Sequence, residues 1–535
     1  MKSASGALNR RTALATAAIA VLLGFFAMND VPIGIFQDDG HYVILARAIA
    51  NGDGYRYTNL PGAPAATHFP PGYPLLLAAF WRLAPQFPAN VAFLKLINVA
   101  LLPLAALAVR ELARRVGGLS VTVSSMVAVV SVATVPVLFL NGLLFSETTF
   151  IIALCGVLIM ADRFVVISAV PTDALTDAPT ASPTAAPTPA LTPAPTWRAA
   201  ALLGLAIGAL TLLRTVGVTL LPAAMAILVW RRRWRDAAIV LAGALVFLLP
   251  WQLWTSAHAR DVPAAVVGAY GAYGPWIADA WRAGGLDFAL AVAAENLRGM
   301  RLLLMLFGLY EAPVVVQGAA FVALTVLAGA GAVRCWRRAG VSVLVFVPYG
   351  LLLLLWPYPP DRFLWPLWPS VLVLLVVGVT HLGAPAARPA ARLAVRVVAV
   401  LLAAGFSTWH VRNWRDRSWE SIERSNARIG IAAAGIALAL PRDGLVASDR
   451  DAMVHLYAGR PAVPLLALTA EQHVRRRSDA EVAAQLAGVL DAYHPRWLVV
   501  GESESLRAAV QLARSGRLKL KGADPSNVLV YDVVR

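Results

Sequence analysis

Apolar runs recur along the chain at close to the length a membrane crossing requires. A helix needs about 20 predominantly apolar residues to cross the hydrocarbon core, and about eleven stretches read that way: 12–28, 91–113, 119–141, 145–167, 197–213, 216–230, 236–256, 313–333, 341–356, 363–382 and 393–410. Two shorter apolar-periodic runs, "HYVILARAI" and "PGYPLLLAAFWRL", fall between the first and second of these. They are too short to span and are predicted to lie as amphipathic helices along the outer membrane surface. Beyond 412 the pattern changes, with more charges and shorter apolar runs. "GLVASD", "AVPLLAL", "RWLVVG" and "NVLVYDVV" read as buried strands. "SDAEVAAQLAGVLDAY", capped by Ser478 or Asp479, and "ESLRAAVQLARSG" read as helices between them. Strands alternating with helices predict a small α/β domain. The division is therefore a transmembrane unit over 1–411, with outer loops at 30–90 and 258–312, followed by an α/β domain over 412–535.

Charge orients these runs. The chain is 59% hydrophobic and 14% charged, with a net charge of +16 and a mean hydropathy of +0.67; soluble domains hold about 25% charged residues. The positive excess does not indicate nucleic acid, because the arginines cluster at the ends of apolar runs, as in "RELARR", "RRRWR" and "RCWRR". That is the signature of cytoplasmic loops. With Lys2, Arg10 and Arg11 holding the N-terminus inside, the even-numbered spans all end in basic segments, and an odd count leaves the C-terminal domain outside. The first span lacks a clear cleavage site and reads as a signal anchor. The segment 171–196, "PTDALTDAPTASPTAAPTPALTPAPT", reads as an extended cytoplasmic tether. Cys155 and Cys335 sit in or at the end of apolar runs and support neither a disulfide framework nor a metal cluster.

This topology gathers Asp38, Asp39, His68, Glu147, Arg214 and Arg362 on the outer face. Acids at membrane depth are costly unless they meet water or a partner, which makes them functional candidates. The plainer reading of Asp38 and Asp39 is a helix cap, of Glu147 a first-turn acid favoured by the helix dipole, and of Arg362 a snorkelling anchor. His68, Lys95 and Arg82 read equally as ordinary loop or interfacial polar groups. "GAYGAYG" (268–274) reads as a flexible Gly-rich connector that could also close over a substrate.

The string "DDGHYVILARAIANGDGY…HFPPGYPLLLA" resembles the first outer loop of GT-C glycosyltransferases, and more closely that of the family 39 group, which includes protein O-mannosyltransferases, aminoarabinose transferases and Rgt-type transferases. The matching positions are Asp38–Asp39, Tyr42, Ala46–Arg47, 52–55 and 70–74. "LFSETTF" with Glu147, "GLAIGALTLLRTVGVTLLP" with Arg214 and "PPDRFLWPLWP" with Arg362 agree with the same family. The resemblance covers about 33–382. Where many relatives have Asp-Glu this chain has Asp-Asp, which sets Asp39 apart from Asp38.

The resemblance implies a membrane-embedded, inverting transferase on the extracytoplasmic side of a bacterial inner membrane. Its donor would be a polyprenyl-phosphate sugar and its acceptor a lipid, glycan or protein. Asp38, with Asp39, is the expected catalytic acid pair. Arg362, Arg214, Glu147, Tyr42, His68, Lys95 and Arg82 are the expected donor-binding residues. A divalent cation is left open: Asp38, Asp39 and Glu147 are oxygen ligands of the kind Mg²⁺ or Mn²⁺ takes. The scarcity of Lys beside abundant Ala, Arg and Leu fits a bacterial source rich in GC. A transporter or flippase is the competing reading, disfavoured because no internal repeat is visible and the acids gather at one face. A non-catalytic receptor built on the α/β domain is a third.

Overall fold

The computed structural model describes residues 2–167, 196–385 and 388–534. The expectation for the Pro/Thr/Ala segment, but for its last residue, lies outside them. The chain is a multi-pass membrane protein. Its N-terminal part comprises α1 (Lys2–Ala27), α2 (Asp38–Asn51), α3 (Gly72–Trp81), α4 (Val91–Arg115), α5 (Val121–Val132), α6 (Val135–Gly142), α7 (Glu147–Ile167), α8 (Thr196–Leu213), α9 (Leu220–Trp230) and α10 (Trp234–Ala257). Then follow α11 (Val267–Tyr270), α12 (Tyr273–Gly299), α13 (Val314–Cys335), α14 (Gly340–Leu344), α15 (Phe346–Leu355), α16 (Asp361–Leu382) and α17 (Pro389–Asp416).

Among the described residues, seven helices are long and apolar enough to cross a membrane, or eight if the pair α5 and α6, bent by 59°, is one span. The other three expected crossings fall on shorter apolar segments, Trp197–Leu213, Thr215–Trp230 and Gly340–Leu355. Small residues let these helices approach closely. A Cβ on Gly204 would lie 2.2 Å from the Val240 carbonyl oxygen, so the "G-x-x-x-G" string of α8 serves its crossing with α10.

The two ends of the bundle differ in chemistry. At one end the basic segments interlock: Arg110 donates to the Asn9 carbonyl, Arg231 to that of Val165, Arg233 to that of Phe164 and Arg338 to that of Val116. Inside that end, Asp162 of α7 accepts the Val341 and Ser342 amides and the Ser342 hydroxyl, closing the start of α14. Glu147 begins α7 at the opposite end.

Of the two short helices of the first outer loop, α3 leaves one face exposed, with Leu75 51% exposed, whereas α2 does not lie on the surface. Asp39 through Ala46 of α2 are all buried, because α2 lies between the bundle and the C-terminal domain. The second outer loop is mostly helical rather than a connector, with α12 kinked at Gly285.

The expected boundary at 411/412 falls inside α17. The C-terminal domain begins with α18 (Glu420–Ala439) and continues through β1 (Val446–Ser448), α19 (Asp451–Ala458), β2 (Ala462–Pro464), α20 (Asp479–Tyr493), β3 (Trp497–Val500), α21 (Ser503–Arg514), β4 (Leu518–Ala523) and β5 (Leu529–Val533). Its sheet has the order β2-β1-β3-β5-β4; β2, β1 and β3 run parallel and β5 pairs antiparallel with β3 and β4. Ser478 caps α20 in a capping box with Glu481. The alternation read from the sequence misses α18, α19 and β4. β4 alternates Leu with Lys at an exposed edge and lacks the buried run that marks the others.

Candidate active site

The site begins at a tight turn. Asp39 is 1% exposed, and its carboxylate accepts the backbone N–H of Gly34 at 2.6 Å and of Phe36 at 3.1 Å. These bonds hold Gln37 at φ 64°, ψ −63°, a conformation a non-glycine residue rarely adopts and one that costs about 1–3 kcal/mol. Gln37 is anchored in turn by donating to the Asp449 carbonyl at 3.3 Å. The result aims Asp38, at the start of α2, into a cavity of about 270 Å³ between the bundle and the C-terminal domain. The two acids therefore separate in role. Asp38 lines the cavity, whereas Asp39 points back into the turn and does not reach it.

Three further elements converge on Asp38. Arg362, in the first turn of α16, donates to Asp38 Oδ2 at 2.5 Å and to Glu147 Oε1 through Nε at 3.1 Å and Nη2 at 3.0 Å. Arg214, where α8 breaks into the 3-10 turn Thr215–Thr219, lies 2.6 Å from the same Glu147 oxygen and donates to Ser146 Oγ at 3.1 Å. Glu147, 4% exposed in its side chain, thus pairs with two arginines through one oxygen, and its other oxygen, buried, has no partner. Phe145 lies under the Arg362 guanidinium at 4.3 Å and Phe363 near that of Arg214 at 5.3 Å. Tyr42 packs edge-on to Tyr73 and reaches Ser146 Oγ at 3.5 Å.

The electrostatics follow from this arrangement. Burial pushes the Asp38 carboxyl up, but the charge and hydrogen bond of Arg362 outweigh it, so the carboxyl rests below its ordinary value of 3.8. Burial raises Asp39 in spite of its backbone donors. His41, which faces the cavity, is lowered by burial to about 4, and His68 is lowered for the same reason. Both rings are therefore neutral near pH 7.

His68 stands in the cavity wall, bonded to the Gly271 carbonyl at 2.9 Å and packed on Tyr273. Lys95 does not reach the site. Its ammonium donates to Asn29 Oδ1 and the Val31 carbonyl, both at 2.6 Å, and closes the exit of α1. Arg82 is exposed at the C-cap of α3, also away from the cavity. Among the described residues no group of three His, Cys, Asp or Glu side chains is placed to hold a metal ion. Asp39 is turned away from the cavity and Arg362 stands between Asp38 and Glu147, so the three acids do not converge on one point.

Sequence reading misses the groups that the C-terminal domain and second outer loop contribute. Tyr270 of "GAYGAYG", read as a flexible connector, is fully buried. Its hydroxyl donates to Asp451 of α19 and meets His41 Nε2 at 2.9 Å and Asn59 Nδ2 at 2.6 Å. Burial raises Asp451 to about 7, against the Tyr270 hydrogen bond. A Cβ on Gly268 would lie 1.7 Å from the Leu468 carbonyl oxygen, so only glycine fits where this loop meets the domain. The buried aromatic flanked by glycines is the one local signal that could have indicated a packed loop.

No protein-family model and no curated protein matches the chain. Solved structures do. The chain is similar to ArnT from Cupriavidus metallidurans bound to undecaprenyl phosphate, with a TM-score of 0.52 at 13% identity over 98% of this chain and 97% of that one. It is similar to the apo state of the same protein, again at 0.52 and 13%. The Archaeoglobus fulgidus oligosaccharyltransferase in complex with Zn and sulfate gives 0.52 at 13% identity over 98% of this chain and 73% of that one. The chain shares the fold of these structures along nearly its whole length.

Proposed function

We propose that this protein is a membrane glycosyltransferase that moves a sugar from a polyprenyl-phosphate carrier to an acceptor hydroxyl on the extracytoplasmic face. The observation that carries this reading is the geometry of Asp38, aimed into a cavity beside two arginines that share one buried glutamate. The similarity to ArnT bound to undecaprenyl phosphate supports the donor class. The finer placement in family 39 rests on the quoted motifs.

In this reading the acceptor oxygen attacks the anomeric carbon, with inversion, as the bond to the phosphate oxygen breaks. Asp38 takes the hydroxyl proton, assistance worth about 10²–10⁴-fold. Arg362 and Arg214 receive the charge that develops on the leaving phosphate. Preorganised cations in a site shielded from water act strongly there and need no rearrangement during the reaction. Arg362 spans both tasks, since its fork already touches Asp38. Asp39, Tyr42 and His68 position these groups. Orientation follows from the segregation of charge: the interlocked arginine end faces the cytoplasm and the cavity end faces out, in a bacterial inner membrane.

The test supplies purified protein in nanodiscs with labelled polyprenyl-phosphate sugars and host membrane extract, and follows sugar transfer and polyprenyl-phosphate release. Asp38→Asn is expected to lose transfer by about 10²–10⁴-fold while still folding and binding donor. Equal transfer by variant and wild type would remove Asp38 from the chemistry.

A further inference from the structure

The cavity has a second wall that the transfer chemistry does not use, and it belongs to the C-terminal domain. In open α/β sheets, ligands bind outside the carboxyl ends of the parallel strands. Here the segments that leave all three parallel strands line the cavity. Asp449 follows β1, 466–468 follow β2, and Glu502 and Glu504 follow β3.

This edge carries hydrogen-bond acceptors waiting for donors. Asp449 is 4% exposed; its Oδ2 accepts the Gly501 and Glu502 amides at 2.8 and 2.7 Å, while its buried Oδ1 has no partner. Gln472 also lines the cavity with a buried, unpartnered Oε1. A buried acceptor left unpaired costs about 1–3 kcal/mol, a deficit that a hydroxyl-bearing ligand would remove.

The charge on this wall selects among ligands. Arg477 is spent on Glu504 at 3.1 Å, and Arg450 on Glu502 at 3.0 Å. Both arginines of this wall are thus paired, and a polyanion would meet acids here rather than free cations. The cavity is also lined by Tyr273, Trp276, Trp356 and Tyr358. Trp276 is tied to the domain by donating to the Leu468 carbonyl at 3.2 Å, and Tyr273 packs on Trp356 at 5.1 Å. Aromatic faces carry negative charge density, which attracts the C–H face of a sugar ring while its hydroxyls turn to the acceptors.

We propose that the acceptor is a neutral glycan, and that its sugar binds in this cavity against the aromatic residues and the carboxyl edge of β2, β1 and β3. The proposal deepens the transferase reading and rests on it, but the site itself can be tested without turnover. Full-length protein in nanodiscs, free of donor, is titrated with a panel of neutral oligosaccharides of mannose, arabinose, galactose and glucose. Lipid A and an unstructured Ser/Thr-rich peptide are run in parallel. Binding is read by calorimetry and by saturation-transfer NMR. Asp449→Asn, which keeps an acceptor for the two amides but replaces the unpartnered oxygen, and Trp276→Ala are compared with wild type. Trp276→Phe serves as the variant that keeps a ring.

The expected result is binding of at least one neutral oligosaccharide, weakened about tenfold or more by Asp449→Asn and Trp276→Ala and less by Trp276→Phe. In a transfer assay the acceptor KM should rise by more than kcat falls. Binding of lipid A or the peptide alone, binding unaffected by both variants, or no neutral glycan bound would overturn the proposal. Absence of sugar transfer by the wild type with every labelled donor would instead count against the transferase reading, so the two failures are distinguishable.

Discussion

Asp38, Arg362, Glu147 and Arg214 form a chain of alternating charge in which each member depends on the next. Removing one partner of a buried pair leaves an uncompensated charge and costs about 3–5 kcal/mol. Glu147→Gln is therefore expected to lower the unfolding temperature measurably in nanodiscs and to reduce donor affinity. An unchanged melting curve would mean that water in the cavity already screens both arginines. The protonation states make a second prediction. Asp38 lies below its ordinary 3.8 and His41 at about 4, so neither changes charge near neutrality. A lowered carboxyl is ionised above that value and loses its charge only as pH falls through it. kcat/KM for transfer should thus show no inflection from these groups between about pH 5.5 and 8, and a midpoint near 6.5 would point to a different base.

At the scale of elements, the site depends on how closely the second outer loop packs against the C-terminal domain. Gly268 sits where a side chain would collide with the Leu468 backbone, and backbone cannot yield as a flexible side chain can. Gly268→Ala should push the segment around Tyr270 outward and break its link to Asp451 and His41. The expected outcome is faster proteolysis between α10 and α12 and a fall in transfer of about tenfold or more, on the reasoning that small misplacements of positioning groups cost that much. Retention of both wild-type activity and wild-type protease resistance would show that the loop docks by other contacts.

Across the whole molecule, the C-terminal domain is fixed to the bundle by groups that resist ionisation. Burial raises Asp451 to about 7, and burial, partly offset by Lys95, raises Glu423 to about 7. A carboxyl raised in the folded state holds its proton longer there than in the unfolded chain. Its contribution is therefore greatest on the acid side and declines as pH rises towards the folded value. The docked state should be less stable at about pH 8 than at about pH 5.5, and Asp451→Asn should flatten that slope. Tryptophan fluorescence during thermal unfolding would report it, and a melting temperature that rises across this interval would contradict the assignment.

The membrane segments and most of the C-terminal strands and helices were legible in order, because burial in lipid or in a parallel sheet imposes local patterns that a linear chain must display. Asp38, Glu147, Arg214 and Arg362 were legible as candidates because charge is rare and costly where those patterns place it. Their separation into roles was not. Asp38 and Asp39 are neighbours of the same type, and only the turn shows that one faces the cavity and the other braces the backbone. Lys95 and Arg82 have the right charge, but folding carries them elsewhere. The wall formed by Asp449, Gln472 and the outer-loop aromatics joins residues nearly two hundred positions apart, with no local period linking them. Periodicity records which face of an element is buried. It does not record which distant element buries it, and that choice, made by packing, assembles the cavity.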